Sequence, residues 1–358
     1  PALAALLCCA ALCACAPVPP AWCSNGGQQE HAPEPMRVVL DQDGNTDDLV
    51  ALLMLVGAHN KGDIQLDGVV VTPADSLPRS AWSATRKLLH RFLASPPAAF
   101  FTALSTRAQA RNAFPIQWRR ASLAADALPS SFSGTYEHES SLDAIEAFAQ
   151  YLRDMPTHSV TLVATGPLTT VALVLALDAS LADRFKEVMW MGGAVRVGGN
   201  VYPLEAGEVD GSAEWNVYWD AHSARDVLAA LPASTPLHLM SLDCTDALPL
   251  SASYLSKLGS LGRPASDLAA VLYAGSLVLQ SRYYLWDVAT SLFALRPHLF
   301  RRECVCVEVE AELLALNYGQ TREVACGGAS HVGKRVVSLL QPLNTSAVLD
   351  AFVDLLDF

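Results

Sequence analysis

Four carboxylates stand within one turn. Asp41-Gln42-Asp43-Gly44-Asn45-Thr46-Asp47-Asp48 lies between the apolar run Val38-Val39-Leu40 and a second apolar run from Leu49 to Val56. Acids crowded this closely in a partly desolvated turn repel one another, and a hard divalent cation among their oxygens removes the repulsion. A metal-centred site is therefore the leading reading. A calcium loop of the helix-loop-helix kind needs glycine where Thr46 stands and a bidentate glutamate where Leu52 stands, so that version fails. A loop presenting Asp41 as a phosphoryl-accepting nucleophile fits Asp41 to Gly44, but not Asp47-Asp48 running straight into an apolar helix. A merely solvated acidic turn suits Asp, Asn and Gly; apolar flanks on both sides argue against it.

The framework around this turn is written in the rest of the chain. Its 358 residues, 51% of them hydrophobic, with a mean hydropathy of +0.26, are enough for one large α/β core. Short β-branched runs at Arg37 to Leu40, Gly68 to Val71, Ala98 to Phe101, Val160 to Ala164, Glu187 to Met191 and Leu237 to Leu242 read as strands. Helical patterns fill the gaps at Asp48 to Gly57, Ser83 to Leu93, Leu142 to Leu152, Leu168 to Leu177 and Ser223 to Leu231, with Asp267 to Gln280 and Thr345 to Leu356 later. Buried strands joined by crossover helices imply an open, mainly parallel β-sheet flanked by helices.

Polar and glycine residues come directly after the strands: the acidic turn, Thr72-Pro73-Ala74-Asp75, Thr165-Gly166-Pro167, Gly192-Gly193 and Asp243-Cys244-Thr245. In such a sheet the carboxyl ends of the strands form the ligand crevice, so these loops converge on one pocket. Two more segments look like ligand-handling loops. Gly198-Gly199-Asn200 and Gly211-Ser212-Ala213-Glu214-Trp215-Asn216 offer amides and an acid suited to sugar hydroxyls, or to turns and helix caps. In Arg282-Tyr283-Tyr284-Leu285-Trp286-Asp287, Asp287 is either a helix cap beside core aromatics or a metal ligand beside an aromatic platform.

From about Met36 onward the chain resembles the calcium-dependent nucleoside hydrolases, in particular their purine-specific, inosine-adenosine-guanosine-preferring branch. The acidic octapeptide, Thr165-Gly166-Pro167-Leu168, Met191-Gly192-Gly193-Ala194, Ala213-Glu214-Trp215-Asn216 and Tyr283-Tyr284-Leu285-Trp286-Asp287 recur in the family's order. The resemblance implies a Rossmann-like fold in one domain, residues 37–358, and hydrolysis of purine ribonucleosides to free base and ribose. It implies Ca²⁺ held by Asp43, Asp48, Asp287 and the Thr165 carbonyl, with Asp43 taking the proton of an attacking water. Asp47 and Asn216 would hold the 2′ and 3′ hydroxyls, and Asn200 and Glu214 the 5′ hydroxyl. Tyr283 joins the substrate contacts. Asp75 and Asn45, the latter counted among the catalytic positions, would lie near ribose and base.

The leaving purine needs separate help. Broader-specificity relatives carry a histidine before the last metal aspartate, where this chain has Trp286; Phe114-Pro115-Ile116-Gln117-Trp118 matches the place of a partner indole. Stacking between Trp118 and Trp286 would favour a protonated purine. The chain departs from relatives at Gln280-Ser281-Arg282, which stands where a longer mobile loop brings an arginine. Two other classes stay open: a nucleoside-binding protein without turnover, and a haloacid dehalogenase-like phosphatase, which needs a rim lysine that none of these loops carries.

With 24 basic against 36 acidic residues, a net charge of −12 and no basic cluster, nucleic acid is disfavoured as a partner. Residues 1–36 are leader-like or disordered and stand outside the expected fold. They read either as a truncated secretory leader or as translation upstream of a start at Met36. The expected location is cytoplasmic, with a secretory route if residues 1–23 are such a leader. No later segment is apolar enough to span a bilayer, and a homodimer stays open. Cys244, Cys304, Cys306 and Cys326, in the body of the chain, are expected as reduced core thiols.

Overall fold

A computed structural model describes residues 20–24, 35–107, 112–127, 137–202, 209–279, 282–326 and 334–358. Nine strands form one sheet: β1 Met36–Gln42, β2 Ile64–Val71, β3 Phe101–Leu104, β4 Val160–Ala164, β5 Phe185–Met191, β6 Leu237–Met240, β7 Phe300–Val309, β8 Thr321–Val324 and β9 Lys334–Pro342. Their order is β3-β2-β1-β4-β5-β6-β9-β7-β8. Pairing is parallel from β3 through β9, and β7 lies antiparallel to both β9 and β8.

Both faces are covered. Helices Thr46–Lys61, Pro78–Phe92, Pro264–Leu279, Trp286–Leu295 and Thr345–Leu355 share one core with Val38, Leu40, Val163 and Met189. Helices Ala144–Asp154, Thr169–Leu177 and Ala221–Ala230 share the other with Val39, Leu162, Val188 and Leu239. Strand residues therefore alternate between the two cores, the period of two that a doubly covered sheet requires.

Helix Thr46–Lys61 is buried on all sides from Thr46 to Ala58, which explains its continuous apolar sequence. Asn45 caps it: its side chain accepts from the Thr46 amide, and Asp48 completes a capping box by accepting from the Asn45 amide. Gly62, at φ +81°, ends it in the left-handed conformation.

Two expectations shift. The third strand begins at Phe101 rather than Ala98, because the Phe100 amide closes a turn onto the Pro97 carbonyl just before it. β7, β8 and β9 extend the sheet beyond the strands expected from sequence; β7 carries Arg301, Arg302 and Glu303 on its exposed part, and β8 is a short, half-exposed edge.

The cysteines differ more. Cys23 is bonded to Cys304 and Cys306 to Cys326, with Cα separations of 5.9 and 5.3 Å, so the expectation of reduced thiols at Cys304, Cys306 and Cys326 is overturned. Both partners on β7 lie two residues apart, on one face, where each meets a cysteine of another segment. Among the described cysteines, Cys244 alone is a free, buried thiol. The first bridge also ties Ala21–Ser24, expected to stand outside the fold, to the sheet. Residues 1–19 and 25–34 lie outside the described residues, but Ala21–Ser24 form a helical turn joined to β7, and the Trp22 indole N–H donates to the Ala233 carbonyl at 3.2 Å.

Candidate active site

The loops after β1, β2, β4, β5 and β6 meet at the carboxyl edge of the sheet around a cavity of about 570 Å³. It is lined by every site residue expected from sequence: Asp43, Asn45, Asp47, Asp48, Asp75, Trp118, Thr165, Asn200, Glu214, Asn216, Tyr283, Trp286 and Asp287. Asp287, far along the chain from the acidic turn, has its carboxylate within 4.8 Å of those of Asp47 and Asp48, and all three are buried.

Backbone geometry makes this turn possible. Gly44 sits at φ +83°, and a Cβ there would stand 2.4 Å from the Ala81 Cβ. Gly166 faces Asp43 so closely that an added Cβ would come within 2.8 Å of the Asp43 Cβ. Both positions exclude a side chain. Asp48 ties the turn to β4: one oxygen accepts from the Asp43 amide at 3.1 Å and the Thr165 hydroxyl at 2.6 Å, and the other from the Asn45 amide at 3.0 Å. Asp47 accepts from the Tyr283 hydroxyl at 2.9 Å and the Asp287 amide at 3.1 Å, which fastens the turn to the helix Trp286–Leu295.

The expected metal set named Asp43 with Asp48, Asp287 and the Thr165 carbonyl. Two of these, Asp48 and Asp287, lie with Asp47 in the trio of close carboxylates. Asp43 lines the same cavity and accepts from the Asp75 amide at 3.2 Å, and the Ser76 hydroxyl donates to its carbonyl. The Thr165 carbonyl accepts from the Asn216 side chain at 3.0 Å, leaving one lone pair.

Burial dominates the electrostatics. It raises Asp43 well above the usual carboxylate range, helped by Asp48, and pushes Asp47 up to about 6. It raises Asp287 too, with further repulsion from Asp47, Asp48 and Asp43. Among the described residues no Lys, Arg or His comes within ion-pair distance of these four acids. A buried anionic cluster made of oxygen donors and lacking a cationic side chain fits a hard divalent cation.

The residues expected to face the sugar are built into the scaffold. Glu214 caps the helix Trp215–Trp219: one oxygen accepts from the Asn216 amide at 2.9 Å, the other from Gly193 at 3.0 Å and Val217 at 3.3 Å. Burial still pushes it up to about 7, against the pull of those amides. Asn45 donates to the Asp75 carboxylate at 2.8 Å, which ties the acidic turn to the loop after β2. Among the aromatic walls of the cavity, Trp286 meets Tyr283 and Tyr284 at ring separations of 4.8 and 5.7 Å, and Trp118 meets Trp215 edge-on at 5.5 Å. Trp215 also lines the cavity, as do Met191, Leu242 and Ser276, none of which sequence reasoning had assigned a role. Trp215 stands inside the Ala213-Glu214-Trp215-Asn216 motif and Met191 opens the Met191-Gly192-Gly193-Ala194 motif; Leu242 and Ser276 carried no signal, being single residues of ordinary core or helix type. Of the divergent loop, Gln280 and Ser281 lie outside the described residues, while Arg282 lines the cavity.

Fold and pocket together define a class: an α/β enzyme with an acidic, oxygen-rich site and aromatic walls at the carboxyl edge of its sheet. The chain matches the family model of inosine-uridine preferring nucleoside hydrolases over residues 38–348 and belongs to that family, whose members hydrolyse the N-glycosidic bond of ribonucleosides. It is similar to the solved structure of the inosine-uridine preferring nucleoside hydrolase from Bacillus anthracis, with a TM-score of 0.78 and 29% identity, covering 90% of this chain and 99% of that one. An uncharacterized protein of Schizosaccharomyces pombe is 26% identical over 77% of this chain and 86% of its own length. The pyrimidine-specific ribonucleoside hydrolase RihA of Photobacterium profundum is 28% identical over 60% of this chain and 64% of its own. Membership removes the phosphatase alternative, and no lysine lines the cavity among the described residues.

Proposed function

We propose that this protein cleaves purine ribonucleosides to free purine and ribose, with Ca²⁺ held by Asp43, Asp48, Asp287 and the Thr165 carbonyl, and with Asp47 beside them in the acidic trio. The observation that carries this reading is that the acidic trio and two indoles, Trp118 and Trp286, open on one cavity. When bound, the ion would acidify a water and orient ribose hydroxyls.

Everything else falls to the chain itself. Asp43, buried and steadied by the Asp75 amide, accepts the proton of the attacking water. As the C–N bond breaks, positive charge grows on the ribose, and the surrounding carboxylates stabilise it. Asp47 and Asn216 hold the ribose 2′ and 3′ hydroxyls; Asn200 and Glu214 face the 5′ end. Trp118 and Trp286 take the base between aromatic faces, where a protonated purine gains cation–π attraction. Trp286 keeps its orientation through an edge contact with Tyr283 and a tilted contact with Tyr284.

The RihA relative carries a pyrimidine-specific name, so the deciding experiment compares bases. Inosine and uridine are supplied separately with Ca²⁺, and released hypoxanthine and uracil are measured. A kcat/KM for inosine at least tenfold above that for uridine is expected. Faster release of uracil would overturn the purine reading, and saturable binding without base release would make the protein a binder.

A further inference from the structure

We propose that Trp215 is a positioning residue that fixes the Trp118 wall of the base pocket and is itself fixed by Asn200. This inference rests on the reading of Trp118 as a base platform. Trp118 sits on a helix of one turn, Ile116–Arg119, with no buried residue of its own. A wall on so short an element needs support from elsewhere to hold its ring plane.

That support comes from the sugar side of the cavity. The Trp215 ring stands edge-on to Trp118 at 5.5 Å and 75°, and stacks on Phe114 at 5.0 Å and 29°. Edge-to-face geometry places the positive rim of one ring against the negative face of the other, which gives the pair a preferred orientation. Asn200 holds Trp215 at two points. Its side-chain oxygen accepts from the Trp215 amide at 3.1 Å, and its backbone carbonyl accepts from the indole N–H at 3.2 Å. Trp215 lies between Glu214 and Asn216 in sequence, so one short segment sets both the sugar contacts and the tilt of the base wall. Asn200 acts on the base end through this indole, in addition to any contact with the sugar.

The test is a double-mutant cycle read with two substrates: inosine, whose leaving group needs the wall, and p-nitrophenyl riboside, whose leaving group does not. Trp215→Leu should lower kcat/KM for inosine about 2- to 10-fold more than for the nitrophenyl substrate, the range of an aromatic edge contact. Trp118→Leu/Trp215→Leu should be no worse on inosine than Trp118→Leu alone, and Trp215→Phe should restore most of the inosine activity. Equal losses on both substrates, or additive losses in the double variant, would overturn the proposal by reducing Trp215 to general scaffolding. Should Trp215→Leu not fold, Trp215→Met, which keeps volume without an aromatic edge, takes its place in the cycle. If Trp118→Leu itself shows no preference between substrates, the base-platform reading fails instead, and the two failures are distinguishable.

Discussion

Replacing Asp287 by Asn should make the protein more stable without calcium and less stable with it. The variant keeps the shape of the side chain and the backbone amide that donates to Asp47, and removes one of three buried charges. At 4.8 Å, the outer limit of the trio, two unit charges repel by about 3 kcal/mol at an effective dielectric of about 20. Protonation of the trio relieves part of this, so roughly 3 kcal/mol is a fair total gain for the ion-free variant near pH 8. At about 2 °C per kcal/mol for a chain of this size, the melting temperature in EDTA should rise by about 6 °C. In millimolar Ca²⁺ the order should invert. The wild type gains about 4 kcal/mol when the ion is at about a thousand times its Kd, and the variant, short of one ligand, gains less. Calorimetry of both proteins in both buffers reads the crossing directly. A wild type whose melting temperature ignores EDTA, with an Asn variant less stable in both buffers, would show that the trio is a hydrogen-bonded structural cluster and refute the cation site.

Other contacts give further expected outcomes. Asp43→Ala should lower kcat on inosine by about 10² to 10³, the loss of about 2 to 4 kcal/mol expected for a preorganised group at the reacting centre, and steady-state assays at saturating Ca²⁺ check it. Trp286→Ala should reduce kcat/KM for inosine about 2- to 30-fold more than for p-nitrophenyl riboside, matching a cation–π contribution of about 0.5 to 2 kcal/mol. Glu214 has its folded pKa raised from 4.5 to about 7. Its contribution to stability is therefore fully present below pH 4.5 and is lost as the pH climbs through 7, by roughly 3 kcal/mol. Urea titrations from pH 4 to 8 should show that decline in the wild type and a flatter profile in Glu214→Gln. Cys304→Ser, which opens the bridge to Cys23, should cost about 2 to 5 kcal/mol in the same titrations, and an unchanged midpoint would count against the bridge.

The site was legible because its chemistry is concentrated. Asp41 to Asp48 place charge, glycine and helix cap in one octapeptide, and the loops after β2, β4, β5 and β6 stand out because polar residues and glycines interrupt the chain at the end of each apolar run. The crossover helices were legible for a related reason: long apolar stretches such as Leu49 to Val56 have few places to go except between sheet and outer helices. The closeness of Asp47 to Asp48 and Asp287 was not legible. Neighbouring carboxylates of one turn differ only in side-chain direction, which Tyr283 and the Asp287 amide decide from far along the chain. β7 and β8 were hidden by their charges, since a half-exposed edge ladder carries Arg and Glu where a central strand carries valine. The disulfides escaped because pairing depends on which segments pass over β7, and nothing local to Cys304 or Cys306 records that.

Those two sulfur links also decide how the molecule would bear a pull between residues 20 and 358. Tension would enter at Cys23, cross directly to Cys304, run along the backbone to Cys306, cross again to Cys326 and leave through β9 and the last helix. The backbone of residues 24–303, with the whole rim of the cavity, lies off that covalent route. The helix Thr345–Leu355 would peel first and β9 next, torn from between β6 and β7, while the segment holding the acidic turn stayed a closed loop.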